Sequence, residues 1–220
     1  VVATFAAFWT RAHDQLRMGG YSNTTMTLAG SHTGVSIGQD GPSQMGLEDI
    51  AMMRSIHGSV VLSPSDAVSA EKCTVEINNH SGISYIRTIR SRTPVIYENK
   101  ESFPIGGSKV LRSSDNDDFM ILATGITVPE ALRAYDILRN KGITVGVMDI
   151  YSLKPMDSCG ILEATGGVSD ILTVEDHYPE GGLGEAAAAA VGALKKVHIK
   201  AVQKMPHSGS PEELLKEQGI

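Results

Sequence analysis

The second half of the sequence alternates short apolar runs with amphipathic segments, and this alternation constrains the fold more than any other feature. From residue 119 onward each apolar run is followed by a segment with helical spacing. The predicted strands are FMILATG, ITVGVMDI, DILTVED and VHIKAVQ, and the helices between and after them are VPEALRAYDILRNKG, DSCGILEATGG, GGLGEAAAAAVGALKK and PEELLKEQ. Buried strands separated by helices predict a mostly parallel sheet with helices on both faces.

The first part of the chain predicts a second unit of the same kind. Apolar residues spaced on one helix face predict an amphipathic helix that starts at Phe5 and stops at Gly19-Gly20. Strands are predicted at TMTLAG, SVVLS and GISYIRTIR, with helices at LEDIAMMRSI and from Asp66 to about Asn79. We therefore expect two three-layer α/β domains with mostly parallel sheets. The predicted boundaries are residues 1–92 and 119–220, with residues 93–118, rich in polar residues, Pro and Gly, as the linker.

Composition excludes several classes of protein. Hydrophobic residues make up 41% of the 220 and charged residues 20%, and no apolar run approaches the roughly 20 residues of a membrane span. The net charge of −6 is concentrated after residue 92, which argues against a nucleic-acid surface. Cys73 and Cys159 are isolated, so neither a zinc site nor a disulfide framework is indicated. A soluble, reduced, cytoplasmic protein is expected.

The stretch SHTGVSIGQDGPSQMGLEDIAMMRS carries the densest group of candidate functional side chains. It follows a predicted strand, and ligands of open α/β sheets bind beyond the carboxyl ends of strands. His32, Asp40 and Gln44 all make directional hydrogen bonds, which suits a site that recognises hydroxyl groups. A structural histidine and a turn-forming aspartate before Gly41 are the alternative interpretations.

Other candidates have equally plain alternatives. Arg87 and Arg90 close a predicted strand and suit a phosphate anchor, although surface arginines are common. An aromatic cluster at the start of the chain fits either a core or a platform for a flat ring. The EDH segment, 175–177, is a polar strand end with surface and interface roles equally open. EGGLGEAAAAA lacks the complete dinucleotide motif and is better explained as the start of a helix.

The motifs taken together resemble those of the transketolase family, and of its animal-type branch in particular. The residues that carry the resemblance are FAAFWTRAHDQLRM, GSHTGVSIGQDGPSQMGLEDIAMMRS, SPSD, YIRTIR, ILATGITVPEAL and ILTVEDHYPEGGLGEA. The similarity runs in matching order over essentially the whole chain. DGPSQ followed by LEDIAMMR is the most specific part.

The resemblance implies a transferase that moves a two-carbon ketol unit between sugar phosphates in the pentose phosphate pathway. Such enzymes use thiamine diphosphate and a divalent cation such as Mg²⁺. Residues 1–92 would be the later part of the pyrimidine-binding domain, and residues 119–220 most of the C-terminal domain. By the same resemblance Phe5, Phe8 and Gln44 would contact the cofactor.

The family's substrate contacts carry over to four positions. His32 would be a catalytic residue that hydrogen-bonds substrate hydroxyls, and Asp40 would bind a further hydroxyl. Arg90 would grip the sugar phosphate, with its neighbour Arg87 ranked second for that role. Ser91 follows Arg90 where relatives commonly have proline, which is a departure from the family pattern.

Parts of the family's catalytic machinery are missing from these residues. No GDG…N motif for the metal and diphosphate occurs, and the glutamate that activates the cofactor belongs to a segment before Val1. The chain therefore carries no metal ligand, is expected to be a fragment with both ends cut, and is expected to be inactive alone. The family's site is shared between the two chains of a homodimer.

Three alternatives stay open on the sequence. The chain could be the C-terminal partner of a two-chain transketolase. It could belong to another thiamine enzyme, such as a deoxyxylulose-phosphate synthase or a dehydrogenase E1 β-chain, although DGPSQ and YIRTIR favour transketolase. It could also be a non-catalytic dimerisation module of a transketolase-like protein.

Overall fold

The computed structural model describes residues 1–220, and its first half contributes four strands to a five-stranded sheet. A 3₁₀ helix at Ala6–Ala12 follows the first strand, and another at Val35–Asp40 follows the second. The elements are β1 (Val2–Phe5), α1 (His13–Tyr21), β2 (Met26–Ser31), α2 (Asp49–Ser55), β3 (Val60–Leu62), α3 (Ala67–Asn78) and β4 (Ile83–Arg87). The strands β1, β2, β4 and β3 lie side by side in that order and run parallel.

The second half forms another five-stranded sheet in the order β10, β9, β6, β7, β5. Its elements are β5 (Lys109–Arg112), β6 (Phe119–Ala123), α4 (Thr127–Asn140), β7 (Val145–Asp149), β8 (Ser152–Lys154), α5 (Ser158–Ala164), β9 (Asp170–Val174), α6 (Leu183–Val191), β10 (Lys196–Lys200) and α7 (Pro211–Gln218). A 3₁₀ turn at Gly192–Leu194 follows α6. All neighbours are parallel except β5, which is antiparallel to β7. The expected fold class, two mostly parallel α/β sheets with helices, is confirmed.

One strand crosses from the second half of the chain to the first sheet. β8 is antiparallel to β3, with Val61 opposite Lys154 and Leu62 opposite Ser152. The Lys154 ammonium also donates to the carbonyl oxygen of Arg54 at 2.8 Å. The first sheet is therefore completed by residues that follow the second sheet's β7 in sequence.

Residues 93–118, predicted to be a linker, pack against both sheets. It contains β5, and Tyr97 and Phe103 are buried in an apolar cluster with Tyr151. The Phe103 ring meets those of Tyr97 and Tyr151 edge-on, at centroid distances of 4.8 and 5.0 Å. These residues pack as part of the core, while the boundaries at 92 and 118 stay predictions.

The helix predicted from Phe5 was wrong at its beginning. Val2–Phe5 form a strand parallel to β2, Ala6–Ala12 form a 3₁₀ helix, and the α-helix begins only at His13. Pairing with β2 outweighs the local helical spacing, which is a weak determinant beside tertiary contacts. The predicted stop at Gly19-Gly20 was also early, since α1 continues to Tyr21.

The largest apolar cluster contains side chains from both sheets. It joins 20 buried residues, among them Leu28 and Tyr85 of the first sheet and Met120 and Met148 of the second. A contiguous core of this kind means that the two sheets are packed together rather than tethered. No helix of the chain combines the length and the apolar character that crossing a bilayer would require.

A buried carboxyl group lies at the junction of the two halves. Asp149, at the end of β7, accepts hydrogen bonds at Oδ2 from Ser65 (2.5 Å) and Tyr97 (2.6 Å). Burial raises the pKa of Asp149 to about 7, although these two hydroxyl donors oppose the rise. The Asp149 Oδ1 atom is buried without a hydrogen-bond partner.

This arrangement predicts a specific dependence of stability on pH. The native carboxyl keeps its proton up to about pH 7, whereas in the unfolded chain it ionises near the ordinary aspartate pKa of 3.8. The native state therefore binds more protons between these values, and its stability falls as pH rises through that interval. Relative to Asp149→Asn, we expect the free energy of unfolding to fall by on the order of 3 kcal/mol between about pH 4 and pH 7. Urea titrations of both proteins at several pH values measure this, and a constant difference would contradict it.

Candidate functional site

The carboxyl end of β2 delivers His32 into a small aromatic cluster. The His32 ring lies face to face with Phe5 at 3.7 Å between centroids, and Phe5 stacks on Phe8 at 5.5 Å with 8° between planes. All three rings are partly exposed. His32 has φ of +57°, a left-handed backbone conformation uncommon outside glycine. The structure thus brings three of the predicted site residues into one stack.

The polar loop, residues 32–47, closes on itself behind His32. The amide of Gly46 donates to the His32 carbonyl at 3.3 Å, and the amide of Gly34 donates to the Gly46 carbonyl at 2.8 Å. The Thr33 hydroxyl donates to the carbonyl of Thr88, just after β4, at 3.1 Å. Internal hydrogen bonds therefore satisfy much of the irregular backbone, as buried peptide groups require.

Asp40 and Arg90 meet at the outer side of this loop. The Arg90 guanidinium donates from Nη1 to Asp40 Oδ1 at 2.9 Å, and a longer bond of 3.5 Å reaches the carbonyl oxygen of Ile37. Roughly half of the Arg90 side chain, 48%, is exposed. Two predicted substrate ligands, distant in sequence, are thereby brought together at a surface that a ligand can reach.

Gln44 belongs to the same loop and is partly exposed. The backbone N–H of Gln44 donates to the carbonyl of Gly41 at 3.1 Å. The side-chain Nε2 makes one long hydrogen bond of 3.4 Å to the Ser43 hydroxyl. The side-chain amide is therefore weakly held within the chain. It has capacity for a further hydrogen bond.

Arg87 is placed differently from Arg90. Only 2% of its side chain is exposed, and Nε donates to Asp49 Oδ2 at 2.9 Å. Nη2 donates to the carbonyls of Gly46 (3.2 Å) and Asp176 (2.8 Å). Burial opposes the charge of Arg87, but Asp49 and Asp176 outweigh it and raise its pKa. Its guanidinium lies beneath the loop and is engaged by the chain itself, so we leave Arg87 out of the proposed substrate contacts.

The sequence offered little indication of the partner of Arg87. Asp49 lies in the first turn of α2, where a carboxylate is expected to face solvent and favour the helix dipole. In the structure its side chain is only 1% exposed and also accepts from the Tyr85 hydroxyl at 2.7 Å. Tyr85 and Arg87 are two apart on β4 and so share one face of the sheet, which is the pattern that could have indicated a common partner.

The EDH segment is buried against the first sheet's loops. Glu175 accepts from the first amides of α6, Leu183 at 2.6 Å and Gly184 at 2.8 Å. Burial raises the pKa of Glu175 to about 7, and these two amides limit the rise. The glycine-rich start of α6 therefore already has an internal acceptor for its amides, which agrees with the interpretation of that segment as the start of a helix.

The other two residues of the segment contact the first domain directly. Asp176 accepts from the amides of Val35 and Ser36 in the polar loop. His177 is fully buried, and burial lowers its pKa to about 4, so the ring is neutral. The amide of Ala51, in α2, donates to His177 Nε2 at 3.5 Å. The sequence left surface and interface roles equally open for these residues.

The side chains at this surface determine which kinds of ligand it can bind. No group of three or more His, Cys, Asp or Glu side chains is arranged to hold a metal ion. The partly exposed Phe5 and Phe8 rings offer a flat apolar surface that fits a heteroaromatic ring. Arg90, Asp40 and His32 together fit a molecule with an anionic group and several hydroxyls.

Comparison with known proteins agrees with this picture. The family model "Transketolase, pyrimidine binding domain" matches residues 1–95, and "Transketolase, C-terminal domain" matches residues 108–220. Over 99% of this chain, identity is 52% to bovine "Transketolase-like protein 1" and 47% to human "Transketolase". The chain covers 37% and 36% of those proteins, so it spans little more than a third of their length.

Solved structures are similar over nearly the whole chain. "Split gene transketolase, inactive beta4 tetramer" has a TM-score of 0.88 and 30% identity, and the match covers 99% of this chain and 70% of that one. The transketolase of Campylobacter jejuni gives 0.82 at 17% identity, covering 99% and 33%. A Pichia stipitis transketolase in complex with sedoheptulose-7-phosphate gives 0.77 at 21% identity, covering 98% and 31%. At these lower identities the likeness concerns the fold alone.

The buried ion pair beneath the loop generates a stability prediction. Asp49→Ala leaves the Arg87 charge buried without its carboxylate, which we expect to cost about 3–5 kcal/mol of unfolding free energy. Asp14→Ala is the control, because the Asp14–Arg17 pair is 3.6 Å apart and exposed. Its loss should cost less than about 1 kcal/mol. Urea unfolding followed by fluorescence of Trp9, the single tryptophan, measures both, and equal losses would contradict the prediction.

Proposed function

Since this chain belongs to the transketolase family, we propose that it provides the pyrimidine-binding and C-terminal domains of an enzyme that transfers a two-carbon ketol unit. The donor would be a ketose phosphate and the acceptor an aldose phosphate, in the pentose phosphate pathway of the cytoplasm. The observation that carries the proposal is the loop after β2, which brings His32 onto the Phe5–Phe8 stack and Asp40 onto Arg90.

Phe5, Phe8 and Gln44 would hold the pyrimidine ring of thiamine diphosphate. The two aromatic faces supply an apolar platform, and the weakly held Gln44 amide supplies a hydrogen bond at its edge. When bound, thiamine diphosphate supplies an electron sink that stabilises the carbanion formed on cleavage of the ketose. The diphosphate and its Mg²⁺ would be held outside residues 1–220, on a domain of the partner chain in a homodimer.

The substrate would be recognised by side chains of the loop and of the β4 end. Arg90 has the planar fork that binds a phosphate with two parallel hydrogen bonds. It would exchange its bond to Asp40 for the sugar phosphate, which leaves the Asp40 carboxylate to accept from a substrate hydroxyl. His32 Nδ1 is already hydrogen-bonded to the Ser31 hydroxyl at 2.9 Å, so Nε2 would face the hydroxyls near the reacting carbons.

A second candidate function is the C-terminal chain of a two-chain transketolase. The solved split gene transketolase supports it, because this chain covers 70% of that one. That protein is named an inactive tetramer, which also supports our proposal that residues 1–220 alone do not turn over sugar phosphates. The two candidates share one site and differ in whether the diphosphate-binding part is covalently attached.

The phosphate role of Arg90 is tested by substitution in the full-length protein. Arg90→Ala removes a charge-assisted hydrogen bond of about 1.5–3 kcal/mol, so KM for phosphorylated sugars should rise about ten- to a hundredfold. Unphosphorylated ketoses should be affected less than about threefold. Arg92→Ala, at an exposed neighbouring arginine, is the control and should leave both unchanged. Equal effects on the two substrate classes would reject the assignment.

Activity on mixing with a second chain distinguishes the two candidates. Residues 1–220 alone should give no turnover of ketose and aldose phosphates with thiamine diphosphate and Mg²⁺ present. If the protein is a two-chain enzyme, activity should appear on mixing with a separate chain that carries the GDG…N motif, and the two should copurify. A full-length chain that carries both parts and is active alone would instead establish the single-chain form. Turnover by residues 1–220 alone would overturn the proposed division of the site.

A further inference from the structure

The polar loop that carries His32 and Asp40 is hydrogen-bonded to a carboxylate of the other domain. Asp176, just beyond β9, is buried, and its two oxygens accept from consecutive loop amides. Oδ1 accepts from Val35 N at 2.8 Å and Oδ2 from Ser36 N at 3.2 Å. Two adjacent N–H donors on one carboxylate fix the loop in orientation as well as in position.

Both sides of this contact are built for close approach. Gly34 has φ of +77°, which turns the chain so that the next amides point at the carboxylate, and a Cβ there would overlap the Asp176 side chain. From the other side, Arg87 donates to the Asp176 carbonyl oxygen at 2.8 Å. The backbone of Asp176 is therefore hydrogen-bonded to the end of β4, the strand that leads toward Arg90.

The second domain also supplies the apolar surface beneath the same loop. A separate buried cluster joins side chains of the loop to side chains near the end of the chain. Its buried members are Val35, Ile37, Met45, Leu47, Val202, Leu214 and Leu215. This cluster gives the loop an apolar attachment to the second domain that is separate from the Asp176 hydrogen bonds.

We propose that Asp176 is a positioning residue, which sets from the C-terminal domain where His32 and Asp40 stand relative to the substrate. The proposal rests on the proposed function for the identity of that substrate. It assigns the C-terminal domain a part in the site although the proposed substrate contacts, His32, Asp40 and Arg90, all belong to the first domain. It also explains the need for a carboxylate, because an amide has one acceptor oxygen and its NH₂ group would face one of the two N–H donors.

Asp176→Asn in the full-length protein is the primary test. Hydrogen exchange should become at least about tenfold faster at whichever of Val35 and Ser36 faces the new NH₂ group, because that amide loses its acceptor. The other amide keeps a neutral acceptor oxygen, so its exchange should be accelerated less. KM for the sugar phosphate should rise about tenfold, with kcat falling less than about threefold. The dissociation constant of thiamine diphosphate should rise less than KM for the sugar phosphate, because Phe5 and Phe8 precede the loop and only Gln44 of the proposed cofactor contacts belongs to it.

Asp149→Asn is the matched control. Asp149 is equally buried, also ends a strand of the second sheet, and also contacts the first half of the chain through Ser65. It makes no hydrogen bond to the loop, so exchange of residues 31–45 should be unchanged in this variant. If both variants accelerate that exchange equally, the effect is general loosening and the proposal is overturned.

Gly34→Ala tests the same contact from the loop side, and it serves if Asp176→Asn does not fold. The added methyl group displaces the loop from an intact Asp176, so exchange at Val35 and Ser36 should again be faster, and the two substitutions combined should be less than additive. Wild-type exchange in Gly34→Ala, or in a folded Asp176→Asn, would overturn the proposal. An absence of sugar-phosphate turnover in the wild-type protein would refute the proposed function. The exchange results would still show whether Asp176 positions the loop.

Discussion

A charge taken out of water must be neutralised and hydrogen-bonded within the protein, and the guanidinium of Arg87 imposes this requirement at the centre of the molecule. Its bonds reach the first turn of α2, the closing end of the polar loop and the backbone of the second domain. Elements that are far apart in sequence therefore have to converge on one side chain. The position of the loop above it follows from that convergence.

The exposed part of the site is arranged above this buried base. Arg90, three residues after Arg87, escapes burial because the chain has left β4 and turned toward the Asp40 side of the loop. One arginine thus stabilises the structure and the other is accessible to ligands, although the sequence presents them as near neighbours. The two aspartates also differ in their roles. Asp40 belongs to the loop and pairs with Arg90 on its outer side, whereas Asp176 lies in the second domain and accepts hydrogen bonds from the loop backbone.

Much of the fold could be predicted from the sequence, because the strands and helices after residue 119 are strongly periodic and bounded by turn residues. β1 and β8 could not, since Val2–Phe5 and Ser152–Lys154 become strands only by pairing with partners that local spacing does not reveal. The loop residues His32, Asp40 and Gln44 were identifiable from their place after a strand. The burial of Asp49 and of the EDH segment was not, because it depends on how the two sheets pack.

The crossing of β8 has a consequence for how the protein can be divided. A polypeptide that ended anywhere between β4 and β8 would leave β3 with an unpaired row of backbone donors and acceptors along one side. Such an edge is a template for pairing with other chains, so the amino-terminal half made alone would be prone to aggregate. The family models divide this chain into two domains, but the backbone ladder between β3 and β8 joins them, so a division that separates residues 152–154 from β3 removes a strand from the first sheet.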